Sequence, residues 1–523
     1  MILKYNILQI ALFLGAIFLF KPSFFAQSQE LELLPGSEKV VYDQQKGEYR
    51  LLGTASFRYQ GNTMYCDSAI YLENSKKVFA YNRVHIMKGD VNLYCDSLYY
   101  DGFKESAQLW GNVRVRDNEY KLLTDSMFYD TKKDVGVYRN GGKIQHVVND
   151  ETLLSKVGYI YTKTKDMFYS DNVKYYSNKL NVFTDTLKYN YRENIIYFEG
   201  SSEIYKLNDS LNVETTVYCH KGWYNTLIDE FQLEDNALVK GKGKELKGDF
   251  LYHNPKTEES IGLGHVSFFD SIQNFGFQSN KFKGDSTKNE YLLTDDAVLK
   301  KVSKKDTFYL HADSILIYLD SAKNRLISFN AFHGVRFFQK GLQGRCDSLV
   351  YQKSDSTMQM FYEPIVWIKN RSELKGEKID VLIENDSLVN SAQIHGGATL
   401  LMEVDSGAYY NQIGGKEILA LFDNNDIYRS DVKGNAVTVY FPENKDSETD
   451  TTVVMKRSGM NRIFASDLRI YIDSNEVEGV TYFEQPEGKF YPIEKINKAE
   501  QFIQGFNWRI ALKPKEWQDI FKD

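Results

Sequence analysis

Ala107-Gln108-Leu109-Trp110-Gly111-Asn112-Val113-Arg114-Val115 alternates along its whole length. Ala107, Leu109, Gly111, Val113 and Val115 fall on one side of an extended chain, with Gln108, Trp110, Asn112, Arg114 and Arg116 opposite, so the run reads as a strand that buries its first side. The pattern returns throughout the chain. Counted from the position of Gly111, copies begin at Gly53, Asn82, Gly111, Gly142, Asp171, Gly200, Asp235 and Gly264, with spacings of 29, 29, 31, 29, 29, 35 and 29 residues. Looser copies start near Asp295, His333, Glu363, Gly396, Gly434 and Gly479. A constant step of this kind marks a repeat architecture.

A second block, a small residue followed by Asp-Ser and an apolar-aromatic run, lies between these anchors. It appears as Cys66-Asp67-Ser68-Ala69-Ile70-Tyr71, Cys95-Asp96-Ser97-Leu98-Tyr99-Tyr100, Thr124-Asp125-Ser126-Met127-Phe128-Tyr129 and Cys346-Asp347-Ser348-Leu349-Val350-Tyr351. Its faces stay open: Asp96, Leu98 and Tyr100 align against Cys95, Ser97 and Tyr99. Polar turns such as Glu73–Lys77 and Thr131–Asp134 join the runs. One unit cannot cover its own apolar face, so copies must stack. The expectation is an all-β, elongated, solenoid-like stack of about fourteen units of 29–35 residues. The inward Gly suits a bend or close approach where a strand passes from one wall to another.

Composition agrees. The 523 residues include 37 Tyr and 33 Phe but only 8 Pro, which favours pleated, half-buried surfaces over helical bundles. The formal charge of -7 and the lack of a basic block exclude an electrostatic footprint for nucleic acid. Residues 1–26 read as a signal peptide, with Lys4, an apolar run from Ile7 to Phe20, and Ala26 before the expected cleavage. Asn6, Gln9 and Lys21-Pro22 leave that run short of a membrane span.

Chemical motifs are sparse. The eight His are isolated in sequence, and no pair of Cys or His has metal-ligand spacing, so neither a metal site nor a cofactor is expected. Cys66, Cys95, Cys219 and Cys346 share a slot that other copies fill with Thr124, Ala312, Gly248 or Ser466, which suits buried thiols. A Cys66–Cys95 bridge needs their copies on adjacent rungs. Asp-Ser recurs too often for a catalytic triad and fits turn or ladder duty; no catalytic residue is assigned. Lys240-Gly241-Lys242-Gly243-Lys244 reads as a solvated hairpin, with a lipid phosphate contact as the sharper alternative. His220-Lys221-Gly222-Trp223 departs from the block pattern, and Pro514 to Phe521 suits a short cap.

The leader, the small-Asp-Ser-apolar-x-Tyr block and the Gly-Asn-Val-x-Val block together resemble the OstA-like (organic solvent tolerance) family over residues 36–490, among whose members are LptA and the N-terminal domain of LptD. The resemblance implies a taco-like antiparallel β-jellyroll, regular over 36–265 and looser over 266–490, before a cap or tail at 491–523. It implies a periplasmic address, or one associated with the outer membrane, and a groove that shields acyl chains of lipopolysaccharide or a related glycolipid. Its lining would be Val84, Ile86, Leu109, Val113, Val115, Phe198, Ile204, Val266 and Phe268. Other envelope transport proteins would join by terminal strand pairing. Alternatively the same positions fill a closed core, which gives a structural or adhesive solenoid scaffold. An outer-membrane barrel conflicts with Arg114 and Arg116 opposite the apolar side, and a glycan-cleaving β-helix lacks a distinguishable carboxylate pair.

Overall fold

The structure, a computed structural model, describes residues 32–522 except 60–61, 117, 119, 147–150, 162–163, 165, 191–192, 305, 321–324, 370–371, 385–387, 424–425, 443–456 and 474–475. The leader at 1–26 and the polar stretch 443–452 lie outside the described residues. Every regular element among those described is a β-strand or a short 3-10 turn, so the chain is all-β. It divides into two compact units, Met1–Thr257 and Glu258–Asp523.

The Ser106–Arg116 strand pairs antiparallel with Val91–Asp101 before it and Tyr120–Asp130 after it, and this meander pattern runs through both units. Halfway along, the strand turns a corner. Gly111 and Asn112 are both left-handed, with φ of 74° and 50°, and the register shifts there against both neighbours. Left-handed pairs recur at Gly53/Thr54, Asn82/Arg83, Asp171/Asn172, Asp235/Asn236, Gly264/His265, Asp295/Asp296, His333/Gly334, Gly396/Gly397 and Gly434/Asn435. The repeat read from the sequence is therefore the spacing of corners, whose first positions here are Gly, Asn, Asp or His, the residue types that tolerate this backbone best, while Thr54 and Arg83 take the second position at two of them. At three other anchors the backbone differs in detail: Gly200 is left-handed singly, Gly141 takes the role expected at Gly142, and Glu363 follows Tyr362 in its pair. Gly479 is no corner; it lies inside the Glu476–Phe483 strand, and the left-handed pair is Glu484/Gln485.

Each corner divides a strand into two arms. Wall A holds the arms equivalent to Val113–Arg116, and wall B those equivalent to Ser106–Trp110. The Asp-Ser block crosses the corner too. Val91, Leu93 and Cys95 are buried on one arm and Leu98 and Tyr100 on the other, so inward parity changes at the exposed Asp96. Both faces left open by the sequence turn inward, one on each side of the dipeptide. On the concave side, small or narrow residues pair across strands: Ala55 with Cys66, Val84 with Cys95, Val113 with Thr124, Ala297 with Ala312, Ala436 with Ala465. On the convex side the Asp faces the left-handed pair. Asn112 Nδ2 donates to Asp96 Oδ2 at 2.9 Å, and Arg83 Nε donates to Asp67 Oδ1 at 2.8 Å. A Cβ on Gly111 would stand 2.2 Å from Asp96 Oδ2.

Strand-end carboxylates build the turns. Asp130 Oδ1 accepts the N–H groups of Lys132 and Lys133 at 3.1 and 2.9 Å, and left-handed Asp134 closes the turn. The four cysteines are free and buried. The Lys77–Lys88 strand lies between those of Cys66 and Cys95, which puts the two thiols on alternate rungs, beyond disulfide reach.

In the 258–523 unit, the segment after Pro492 runs back over the outer face of wall A. Arg462 Nη1 donates to the carbonyls of Glu500 and Phe502 at 2.6 and 2.9 Å. Gln412 donates to Gln501 O and accepts from Ile503 N, both at 2.9 Å. Further on, Arg509 N donates to Glu373 Oε2 at 3.0 Å, and Trp517 stacks on Tyr309 with ring centroids 5.0 Å apart. The cap expected at 514–521 is a 3-10 turn, Trp517–Phe521, whose Ile520 is fully buried.

Two outcomes follow. Gly111→Val forces a β-branched residue into left-handed backbone against Asp96, and is expected to lower the urea unfolding free energy by about 2–4 kcal/mol; Asn112→Gly, which only loses one exposed hydrogen bond, should cost much less. Burial pushes the thiols of Cys66 and Cys219 up to about 11 and those of Cys95 and Cys346 up to about 12. All four should resist a disulfide reagent at pH 8 until denaturant is added. Because these folded-state values are raised, their contribution to stability is complete below the unfolded thiol value, about 8.5, and falls as pH rises towards 11–12.

Candidate functional site: the apolar interior

The two walls face each other across an apolar interior. In the 1–257 unit, wall A contributes Val84, Ile86, Leu93, Val113, Val115 and Leu122, and wall B contributes Ala80, Leu98, Leu109, Met127 and Tyr129; all belong to one buried cluster that continues to Phe198 and Ile204. Seven of the nine residues expected to line a groove, namely Val84, Ile86, Leu109, Val113, Val115, Phe198 and Ile204, come together there. Val266 and Phe268 belong to the other unit. Val266 is buried, while Phe268 is half-buried and stacked on Phe277 at 5.2 Å.

Sequence reasoning missed the tyrosines of this interior. Tyr129, Tyr138 and Tyr169 are buried inside it. Tyr138 occupies space left by two glycines, since a Cβ on Gly142 or Gly158 would lie 2.4 Å from its ring. Its hydroxyl is 2.7 Å from Ser155 Oγ, and burial pushes the phenol up to about 12 despite that hydrogen bond. Gly142 and Gly158 were the legible signal, two small residues on the arms either side of an aromatic.

The interior of the 258–523 unit is partly open. A slot of about 130 Å³ lies between Leu299, Phe308 and Leu342 of wall A and Phe329, Met358 and Val381 of wall B. Beyond it Phe337, Val366, Leu374 and Ala392 close the space to a void of about 10 Å³. An interior of this composition can remove alkyl groups from water.

Other singled-out motifs serve the sheet. Lys242 and Gly243 are left-handed and form a tight hairpin, with Lys242 ion-paired to Glu214 at 2.6 Å and Lys240 to Glu245 at 3.1 Å. His220 accepts its place in an ordinary rung, its Nδ1 3.1 Å from Asp235 O. A broad polar cleft of about 790 Å³ outside the corner includes Asp96, Lys143, Lys156 and Asp171, where Lys156 is 2.8 Å from Asp171.

Residues 36–185 match the model of the family described as OstA-like protein. No curated protein matches the chain. Among solved structures, it is similar to LptH, the LptA homologous periplasmic component of the conserved lipopolysaccharide transport device from Pseudomonas aeruginosa, with 11% identity over 21% of this chain and 80% of that chain and a TM-score of 0.19. A likeness at that score adds nothing to the functional argument. The family match falls on the corners from Gly53 to Asp171, and it is over residues 36–185 that the chain is similar to OstA-like protein.

Proposed function

We propose that this protein is an exported, periplasmic lipid carrier. It binds lipopolysaccharide or a related glycolipid by its acyl chains between the two walls and assists assembly of the outer membrane. The supporting observation is the single apolar cluster that runs from Leu51 to Ile204 between facing arms of one bent sheet. Each methylene moved out of water is worth about 0.8 kcal/mol, so burial of whole acyl chains, on the order of ten carbons or more, is needed to outweigh the cost of association. Val84, Ile86, Leu109, Val113, Val115, Phe198 and Ile204 are the contacts proposed in the 1–257 unit, with Val266 and Phe268 their counterparts in the other.

Transfer partners would add at the end of the sheet. Among the described residues, Lys39–Asp43 pairs only with Glu48–Tyr59, and its exposed Val40, Val41 and Tyr42 suit strand addition by an envelope transport protein. The scaffold reading is favoured by one observation: Val113 and Val115 are fully buried by the protein's own side chains.

Native mass spectrometry of the mature protein with lipopolysaccharide decides between them. The carrier should retain glycolipid at defined stoichiometry; none retained under any condition leaves the scaffold alone. Val113→Asp buries a carboxylate without a partner and should abolish loading or cost about 3 kcal/mol or more of stability. Unchanged loading and stability would remove that face from the interior.

A further inference from the structure

We propose that the slot of the 258–523 unit takes one alkyl chain of an amphiphile whose anionic head group docks on Lys353 and Lys301 at the mouth. This rests on the carrier reading in one respect, that the interior admits alkyl chains, and adds a site, an entrance and a head-group charge.

Phe275, Leu299, Phe329, Met358 and Val381 are buried and face the slot from both walls. Its volume of about 130 Å³ is close to the roughly 150 Å³ at which an apolar cavity admits a benzene-sized guest. The near-solid packing beyond it makes the slot a blind end for the tip of one chain, not a passage.

The entrance lies at the strand ends, away from the corner. On wall A the inward row Ala297 and Leu299 continues, two residues on, to Lys301; on wall B the row Leu349 and Tyr351 continues to Lys353. Each inward apolar row thus ends in a lysine, and the two lysines line the mouth from opposite walls. Gln273 O accepts from Lys301 Nζ at 3.0 Å, which holds that ammonium at the rim. Lys300, one residue out of that row, turns to the outer face of wall A, its Nζ 5.2 Å from the centre of the Phe269 ring.

Among the described lining residues Asp306 is the one carboxylate, and it is turned to the backbone. Its Oδ1 accepts from Thr307 N at 2.8 Å and its Oδ2 from Lys340 N at 2.7 Å. An alkyl slot with a rim of two lysines against one tethered carboxylate complements a chain that ends in phosphate or carboxylate.

The test is isothermal titration of the full-length mature protein with hexyl phosphate below its micellar concentration, beside inorganic phosphate and hexyl maltoside; a chain of about six carbons matches a benzene-sized slot with the head group at the mouth. Hexyl phosphate should bind once per chain, at least about tenfold tighter than hexyl maltoside, with inorganic phosphate silent. Lys353→Glu, an exposed change, should weaken binding about tenfold or more, and Leu299→Trp should abolish it. If Leu299→Trp does not fold, Lys353→Glu alone decides. Equal binding of hexyl maltoside, a full signal from inorganic phosphate, or unchanged affinity in Lys353→Glu overturns the proposal. Folded Val113→Asp should still bind hexyl phosphate; its loss would place the site elsewhere and overturn the slot. A protein that captures lipopolysaccharide but not hexyl phosphate sinks the slot alone, whereas slot-dependent binding of hexyl phosphate without any capture of lipopolysaccharide sinks the carrier reading alone.

Discussion

A corner built into each strand is the constraint on which the rest depends. Turning an extended chain sharply takes two successive left-handed residues, as at Gly111 and Asn112, and these cost least when they are Gly, Asn, Asp or His. The neighbouring strand must follow the same bend, and it presents Asp96 on the convex side and a narrow side chain such as Cys95 on the concave side. Corner therefore dictates corner from rung to rung. A bent meander of this kind covers its own apolar faces with its other arm, so it needs no helix to form an interior.

This explains how much was legible. The corner requires particular residue types at a fixed step, and that step is visible at a glance from Gly53 to Gly264. Where another residue holds the corner, the reading slips: Tyr362/Glu363 carries no small-residue mark, and Gly479 imitates one inside a straight strand. The Asp-Ser block resisted assignment for a different reason. Period-two reasoning assumes an unbroken pleat, whereas inward parity changes within the block itself at Asp96. Inward residues of the Asp-Ser strands, such as Tyr129, were consequently missing from the expected groove. The returning C-terminal segment was illegible because wall A grips its carbonyls, as Arg462 does those of Glu500 and Phe502, and carbonyls leave no trace in side-chain patterns.

A filled interior and a carried chain compete for the same contacts. Around Tyr138, where Gly142 and Gly158 admit the ring and Ser155 meets its hydroxyl, a guest would have to displace well-packed atoms and strand a buried phenol. Between Leu299 and Met358 the walls already stand apart, so an alkyl group there gains burial without displacing protein. A guest chain would accordingly gain most where packing is incomplete, and apolar character alone does not locate such a place.

The two walls of the 258–523 unit also differ in freedom. Wall A is a middle layer: Ile413 faces the interior, while Gln412 on the opposite side holds the backbone of Gln501 and Ile503. Trp367 and Glu373 extend that hold, with the indole Nε1 donating to the carboxylate at 2.9 Å and Arg509 N donating to the same oxygen. To move wall A outward would break polar contacts that are buried and hard to replace with water. The facing residues Phe329, Met358 and Val381 belong to arms that carry no such outer layer among these contacts. Any widening of the slot for a bulkier chain is therefore cheaper by displacement of wall B, with the corner as hinge, than by displacement of wall A.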